Sequence, residues 1–154
     1  MKYLILENIR SAYNVGAIFR TADAAGVSEI FLVGYTPRPT DRFGRVQSEI
    51  SKTSLGASEE VEWEYFEQVE ELLEKLQAEA VDVVVVEQTD KAISLKDFNE
   101  PESVAYVMGN EIDGVSREAL EAADTIIEIP MLGTKESLNV SVAAGVVLYH
   151  GVTK

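Results

Sequence analysis

Three segments of this 154-residue chain combine glycines with polar side chains where a strand-like run ends. In the first, YLILEN gives way to IRSAYNVG and then to a helix-period stretch carrying Arg20. In the second, VAYVM runs into Gly109, Asn110, Glu111, Ile112, Asp113 and Gly114. In the third, TIIEIPM leads through LGTKESLN, with a turn at Gly133 and a helix beginning at Ser137 or Leu138. Ligands of open α/β sheets sit beyond the carboxyl ends of the strands, so these are the places to look for chemistry. Glycine-bounded loops bring backbone N–H and C=O groups close enough to read a planar base or a carboxylate. Taken alone, 109–114 is equally an ordinary turn before a helix capped by Ser116.

Some chemistries are excluded at once. No GxGxxG follows a strand and no GxxxxGK[ST] occurs, which argues against a dinucleotide-binding dehydrogenase or a P-loop enzyme. The chain has no cysteine, so thiolate zinc sites, thiol nucleophiles and disulfides are out of reach. His150 is the only histidine and cannot build a histidine cluster, so no metal site is expected. No stretch approaches the ~18 apolar residues of a membrane helix, and MKYLILENIR is too short and too soon acidic for a signal peptide. A soluble cytoplasmic protein is expected.

The elements that must position these segments follow from periodicity. Strands are expected at 3–8, 29–34, VEWEYF, VDVVVVEQ, SVAYVMGN and TIIEIPM; helices at 15–25, about 49–55, 67–80, 117–123 and 138–149. Asn14 is a plausible N-cap and Gly26 a stop for the first helix. Val69, Leu72, Leu73 and Leu76 fall on one face of the acidic helix. Four consecutive valines imply a strand buried on both faces, as in a parallel sheet. The fold class is therefore α/β, a mainly parallel sheet flanked by helices, in one domain over 1–154. Residues 35–47, YTPRPTDRFGRVQ, form a long exposed loop, and loops of that length are usually functional. Trp63, Tyr65 and Phe66 alternate with acids and are expected to pack a short strand rather than stack bases.

The net charge is −14, but its distribution is uneven. Residues 1–56 carry seven basic and five acidic side chains, whereas 57–105 carry three and fifteen. A locally basic face is thus compatible with an acidic protein, the acidic block being a solvated surface.

Together the segments are far more specific than any one of them. NVGAIFRTADAAG (14–26), VMGNEIDGVS (107–116) and IPMLGTKESLNVSVAAGVVLYH (129–150) resemble, in order and spacing, the three motifs of the SpoU/TrmH branch of the SPOUT methyltransferases. The resemblance implies a C-terminal trefoil knot, which the general rarity of knots would never suggest. It also implies methyl transfer from S-adenosylmethionine to a ribose 2′-hydroxyl of tRNA or rRNA, leaving S-adenosylhomocysteine, in a homodimer.

That reaction is an in-line displacement, so acceptor oxygen, methyl carbon and sulfur must be aligned and the hydroxyl must lose its proton. By resemblance Arg20 is the residue proposed to activate the hydroxyl. A guanidinium stays protonated, which favours binding the adjacent phosphate and stabilising the developing alkoxide, with the route of the proton left open. Asn14 could cap the helix, bind substrate, or do both. Glu111 would pair with Arg20 and fix its plane. Ser137 and Asn139 would face the catalytic pocket. Met108, Gly109, Asn110, Gly114, Ser137 and Leu138, with the backbone of Ile129, Pro130, Met131 and Leu132, would hold the cofactor.

The added RNA-binding domain of many family members is not expected within these residues. RNA affinity would come from Arg10, Arg38, Arg42, Arg45 and Lys52, pooled from two subunits, or from an auxiliary RNA-binding partner. The rival reading is a non-catalytic knotted binding module that keeps the cofactor pocket.

Overall fold

The computed structural model describes residues 1–153. Its elements run β1 (Lys2–Glu7), α1 (Ala12–Ala24), β2 (Glu29–Val33), α2 (Ser48–Ser54), α3 (Ala57–Glu60), β3 (Glu62–Phe66), α4 (Val69–Ala78), β4 (Asp82–Val86), β5 (Ile93–Ser94), β6 (Val104–Met108), α5 (Arg117–Ala122), β7 (Thr125–Glu128) and α6 (Val140–Thr153). The seven strands form one sheet in the order β3-β2-β1-β6-β4-β7-β5, and every strand pair is parallel.

Alternation of side chains along the strands divides the interior into two layers. Leu4, Leu6, Ile30, Leu32 and Val84 face one side with Val15, Ile18, Phe19, Ile50, Val147 and Leu148, so α1, α2, α3 and α6 cover that face. Ile5, Phe31, Val83 and Val85 face the other, against Leu72, Leu76 and Ala119 of α4 and α5. The valine run is therefore buried on both sides, as its composition requires. The aromatic residues of β3 also pack: Trp63 and Tyr65 lie against the first layer, and Phe66 meets Phe31 edge-on at 5.9 Å.

After β1 the chain leaves toward β2, and after β6 it leaves toward β7, on opposite sides. The switch point of the sheet thus lies between the neighbouring strands β1 and β6, where ligands of open α/β sheets bind. Leu6 lies opposite Met108 there, so 8–11 and 109–114 emerge side by side.

Two local expectations are corrected. Ser11, not Asn14, caps α1; its hydroxyl accepts from the N–H of Asn14, which is the third helical residue. Both residues are good caps, and the helix takes the earlier one because Ala12 and Tyr13 can join it. The last helix begins at Val140 rather than at 137 or 138, because Asn139 Oδ1 accepts from the N–H of Ser141 at 2.9 Å and ends the extended segment there. Two short elements, α3 and β5, have too few residues to show a period. The stop at Gly26 holds, with φ at +77°.

Candidate functional site

The segments after β4, β6 and β7 enclose a cleft of about 510 Å³. Met108, Gly109, Asn110, Glu111, Gly114, Ile129, Met131, Ser137, Leu138 and Asn139 line it, so two of the three motifs converge. Pro130 and Leu132 do not line it, and Leu132 is 97% exposed, so the side chains of that stretch alternate toward and away from the cleft.

The 109–116 loop is fixed by side chains that sequence spacing does not associate. Asn110, only 7% exposed, donates through Nδ2 to the carbonyl of Asn8 (2.8 Å) and to the hydroxyl of Tyr35 (2.7 Å). Its Oδ1 accepts from the N–H groups of Ile112 and Asp113 at 2.8 and 2.7 Å. The Asn110 side chain is thus fully used within the protein, and only its surroundings remain for a ligand. Glu87 Oε2 accepts from the Val115 N–H at 2.8 Å, and buried Glu7 accepts from the Ser116 N–H at 2.9 Å. A Cβ on Gly109 would sit 2.5 Å from backbone atoms of Gly114 and Val115. Glycine is therefore needed here for the loop to close on itself, beyond any contact with a ligand.

Glu87 and Gln88 were not anticipated from the sequence, although an acid leaving a four-valine strand is the available signal. Gln88 Nε2 donates to the Glu136 carbonyl at 2.7 Å, tying β4 to the 129–139 segment. Four glutamates, Glu87, Glu111, Glu128 and Glu136, line the cleft, and among the described residues no lysine or arginine does. Its volume suits a small ligand, and its charge suits a cationic one.

Arg20 lies elsewhere. Its side chain is exposed and borders a separate cleft of about 550 Å³ with Tyr13, Thr21, Lys52, Thr53 and Tyr149, between α1, α2 and α6. The expected pairing with Glu111 does not occur within the chain. The Glu111 carboxylate instead accepts from the N–H groups of Arg10 (3.0 and 3.2 Å) and Ser11 (3.3 Å), at the start of α1. Nine helical steps separate Ser11 from Arg20, about 14 Å along the axis, so one acid cannot serve both ends. Asn14 does not line the cleft of about 510 Å³ either.

The 35–47 loop holds three of the expected RNA-binding cations. The Arg38 guanidinium lies 4.0 Å over the Tyr65 ring, whose hydroxyl donates to the Gly34 carbonyl. Asp41 closes the tip: Oδ1 accepts from the N–H groups of Phe43 (2.8 Å) and Arg45 (2.9 Å), and Oδ2 from Arg45 Nε (2.7 Å). These bonds, the Arg45 N–H foremost, hold the Asp41 carboxyl below its ordinary value. Arg10, Arg42 and Lys52 are exposed. Among the described residues no group of three His, Cys, Asp or Glu side chains is placed to hold a metal ion. Nor is any helix long and apolar enough to cross a membrane.

The SpoU rRNA Methylase family matches residues 1–149. The chain is 37% identical over 145 residues to 23S rRNA (guanosine-2'-O-)-methyltransferase RlmB of Neisseria meningitidis, covering 94% of this chain and 55% of that one. It thus spans a little over half the length of the curated relatives it matches. The AdoMet-bound rRNA methyltransferase of Sinorhizobium meliloti superposes with a TM-score of 0.86 at 29% identity, over 99% of this chain and 56% of the other. A structure described as giving insight into 2-OH methylation of C/U34 on tRNA superposes at 0.83 and 26% identity, over 99% and 94%.

Proposed function

The chain belongs to the SpoU rRNA methylase family, and from that premise we propose that it is an S-adenosylmethionine-dependent RNA 2′-O-ribose methyltransferase that works as a homodimer on tRNA or rRNA. The observation that carries this is the acid-lined cleft beyond the carboxyl ends of β4, β6 and β7, formed by the second and third motifs. When bound, S-adenosylmethionine supplies a methyl group on a sulfonium cation. A cleft lined by four glutamates and, among the described residues, no basic one fits that charge, and a volume of about 510 Å³ fits that size.

Met108, Gly109, Gly114, Ile129, Met131 and Leu138 would hold the cofactor by backbone and apolar contacts, with Ser137 and Asn139 toward the substrate. Arg20 would bind the phosphate beside the target ribose and stabilise the alkoxide as it develops, a guanidinium being a fixed donor rather than a base at neutral pH. Because Arg20 lies outside its own chain's cleft, we assign it to the partner protomer's site. Val142, Val146, Tyr149 and Val152 form an exposed apolar stripe on α6 that meets the Arg20 cleft at Tyr149 and supports a dimer through that face. Residues 1–154 would form one catalytic domain, and the segment between β7 and α6 would be threaded as a trefoil knot. The insertion of β7 between β4 and β5 favours such threading. An RNA-modifying role supports the reading of a cytosolic protein.

Transfer of labelled methyl from S-adenosylmethionine into bulk unmodified tRNA and rRNA tests the reading. A 2′-O-methyl group blocks alkaline cleavage at its own linkage, so label is expected in alkali-resistant dinucleotides. The mutual coverage with the tRNA C/U34 structure makes tRNA the first pool to assay. Label in mononucleotides would mean base methylation. Cofactor binding without any transfer would bring forward a required protein partner or the non-catalytic module.

A further inference from the structure

We propose that Phe43 is a stacking platform for an unpaired base of the RNA substrate, an inference that rests on the RNA reading above. Phe43 stands at the tip of the 35–47 loop, 67% exposed, and belongs to neither core layer. A phenylalanine so placed adds little to folding, yet its turn is held rigid by three bonds to Asp41. The Arg42 and Arg45 guanidinium groups lie over its ring, 4.9 and 5.1 Å from the centre, so a base stacks there as these exposed side chains turn from the ring to its phosphates. Among the described residues no carboxylate pairs with Arg42. An aromatic face flanked by cations at a fixed tip matches what a nucleotide offers, a planar base between two phosphates.

The tip is also connected to the cofactor cleft. A cleft of about 390 Å³ runs beside the tip, lined by Tyr35, Arg38, Asp41, Arg45, Gln47 and Tyr65. The Tyr35 hydroxyl accepts from Asn110, in the loop that borders the cofactor cleft. A strand of RNA entering over Phe43 would pass along this cleft toward the reacting centre. Bases within a duplex have both faces covered, so the platform selects single-stranded or loop RNA.

The test uses the whole protein with a single-stranded RNA 12-mer carrying a central 2-aminopurine, against a hairpin duplex of equal charge. Wild type is expected to quench the 2-aminopurine fluorescence and to prefer the single strand. Phe43→Leu should lose the quench and weaken single-strand binding about tenfold. The slope of affinity against salt should stay unchanged, since no phosphate contact is removed. Phe43→Trp should restore both. The proposal is overturned if Phe43→Leu binds the single strand as wild type does, or loses duplex binding equally. It is also overturned if sedimentation shows that the substitution splits a dimer, which would make the ring a subunit contact. Methyl transfer by wild type with no effect at Phe43 removes this inference alone; a wild type that binds neither cofactor nor RNA removes the RNA reading with it.

Discussion

The 109–116 loop and the 35–47 loop both leave the carboxyl end of the sheet, but they are built in opposite ways. In the first, nearly every polar group is consumed inside the protein: Asn110 uses both ends of its amide, while Glu7, Glu87 and Glu111 each hold backbone N–H groups from elsewhere in the chain. In the second, Tyr35 and Thr36 tie the base of the loop to the sheet, but the bonds of the 41–45 tip are local, and Arg42, Phe43 and Arg45 stand exposed there. A cleft built the first way is formed before its ligand arrives, whereas a surface built the second way acquires most of its contacts only with a partner. The acids that form the cleft would also repel RNA phosphates, so the cations must stand apart from it. Arg20 follows that rule.

The largest expected effect separates chemistry from cofactor binding. Arg20→Ala should lower methyl transfer by roughly 100- to 1,000-fold, the range for losing one donor at a developing oxyanion. Cofactor affinity, measured by calorimetry, should stay within about twofold, because Arg20 lies outside the cleft. Mixing Arg20→Ala with a protein whose cleft is disabled should restore activity if Arg20 acts across the dimer. No recovery in mixed dimers would return it to its own chain.

Gly109→Ala should act in reverse. A methyl group 2.5 Å from the Gly114 and Val115 backbone forces the loop open. Cofactor binding should fall at least about tenfold, with a lowered melting temperature, while RNA binding through the 35–47 loop persists. Equal loss of both would show that the two loops are one unit, coupled through Tyr35 and Asn110.

Glu87→Ala is expected to be milder. It leaves the Val115 N–H without its acceptor, a cost of about 1–3 kcal/mol in stability, readable by urea titration. Cofactor affinity should drop severalfold, because that N–H sits in the loop bordering the cleft. An unchanged midpoint would mean that water replaces the carboxylate and that the loop is held by Asn110 and Glu7.

What the sequence made legible divides along the same line. The layers, the acidic helix with Val69, Leu72, Leu73 and Leu76, the buried valine strand and the Ser116 cap follow from local periodicity and capping chemistry. The convergence of 109–114 with 129–139 was legible only through the resemblance, because no local rule brings strands β6 and β7 to one cleft. The bonds made by the anchors Glu7 and Glu87 were not legible, since their partners are 109 and 28 residues away. The pairing of Glu111 with Arg20 is absent within the chain for a different reason. Spacing says which residues belong to one site but not which copy of the chain supplies each, and the chain places them on separate clefts.

The smallest effect tests the open loop alone. Asp41 is held below its ordinary pKa, so the order it gives the loop is present above the carboxylate's unfolded value and lost only as pH falls through the lower folded one. From about pH 5 to about pH 8 it stays ionised, and RNA affinity should show no change from this source. Asp41→Asn keeps an oxygen for the Phe43 and Arg45 N–H groups but removes the negative partner of the Arg45 guanidinium. The turn should therefore persist while Arg45 becomes free for phosphate, and affinity for single-stranded RNA should rise up to about threefold at low salt. Screening should erase the gain near physiological ionic strength. Weaker binding at every salt concentration would show instead that the charged Asp41, and not merely its hydrogen-bonding oxygen, fixes the tip, and that order there matters more than one added cation.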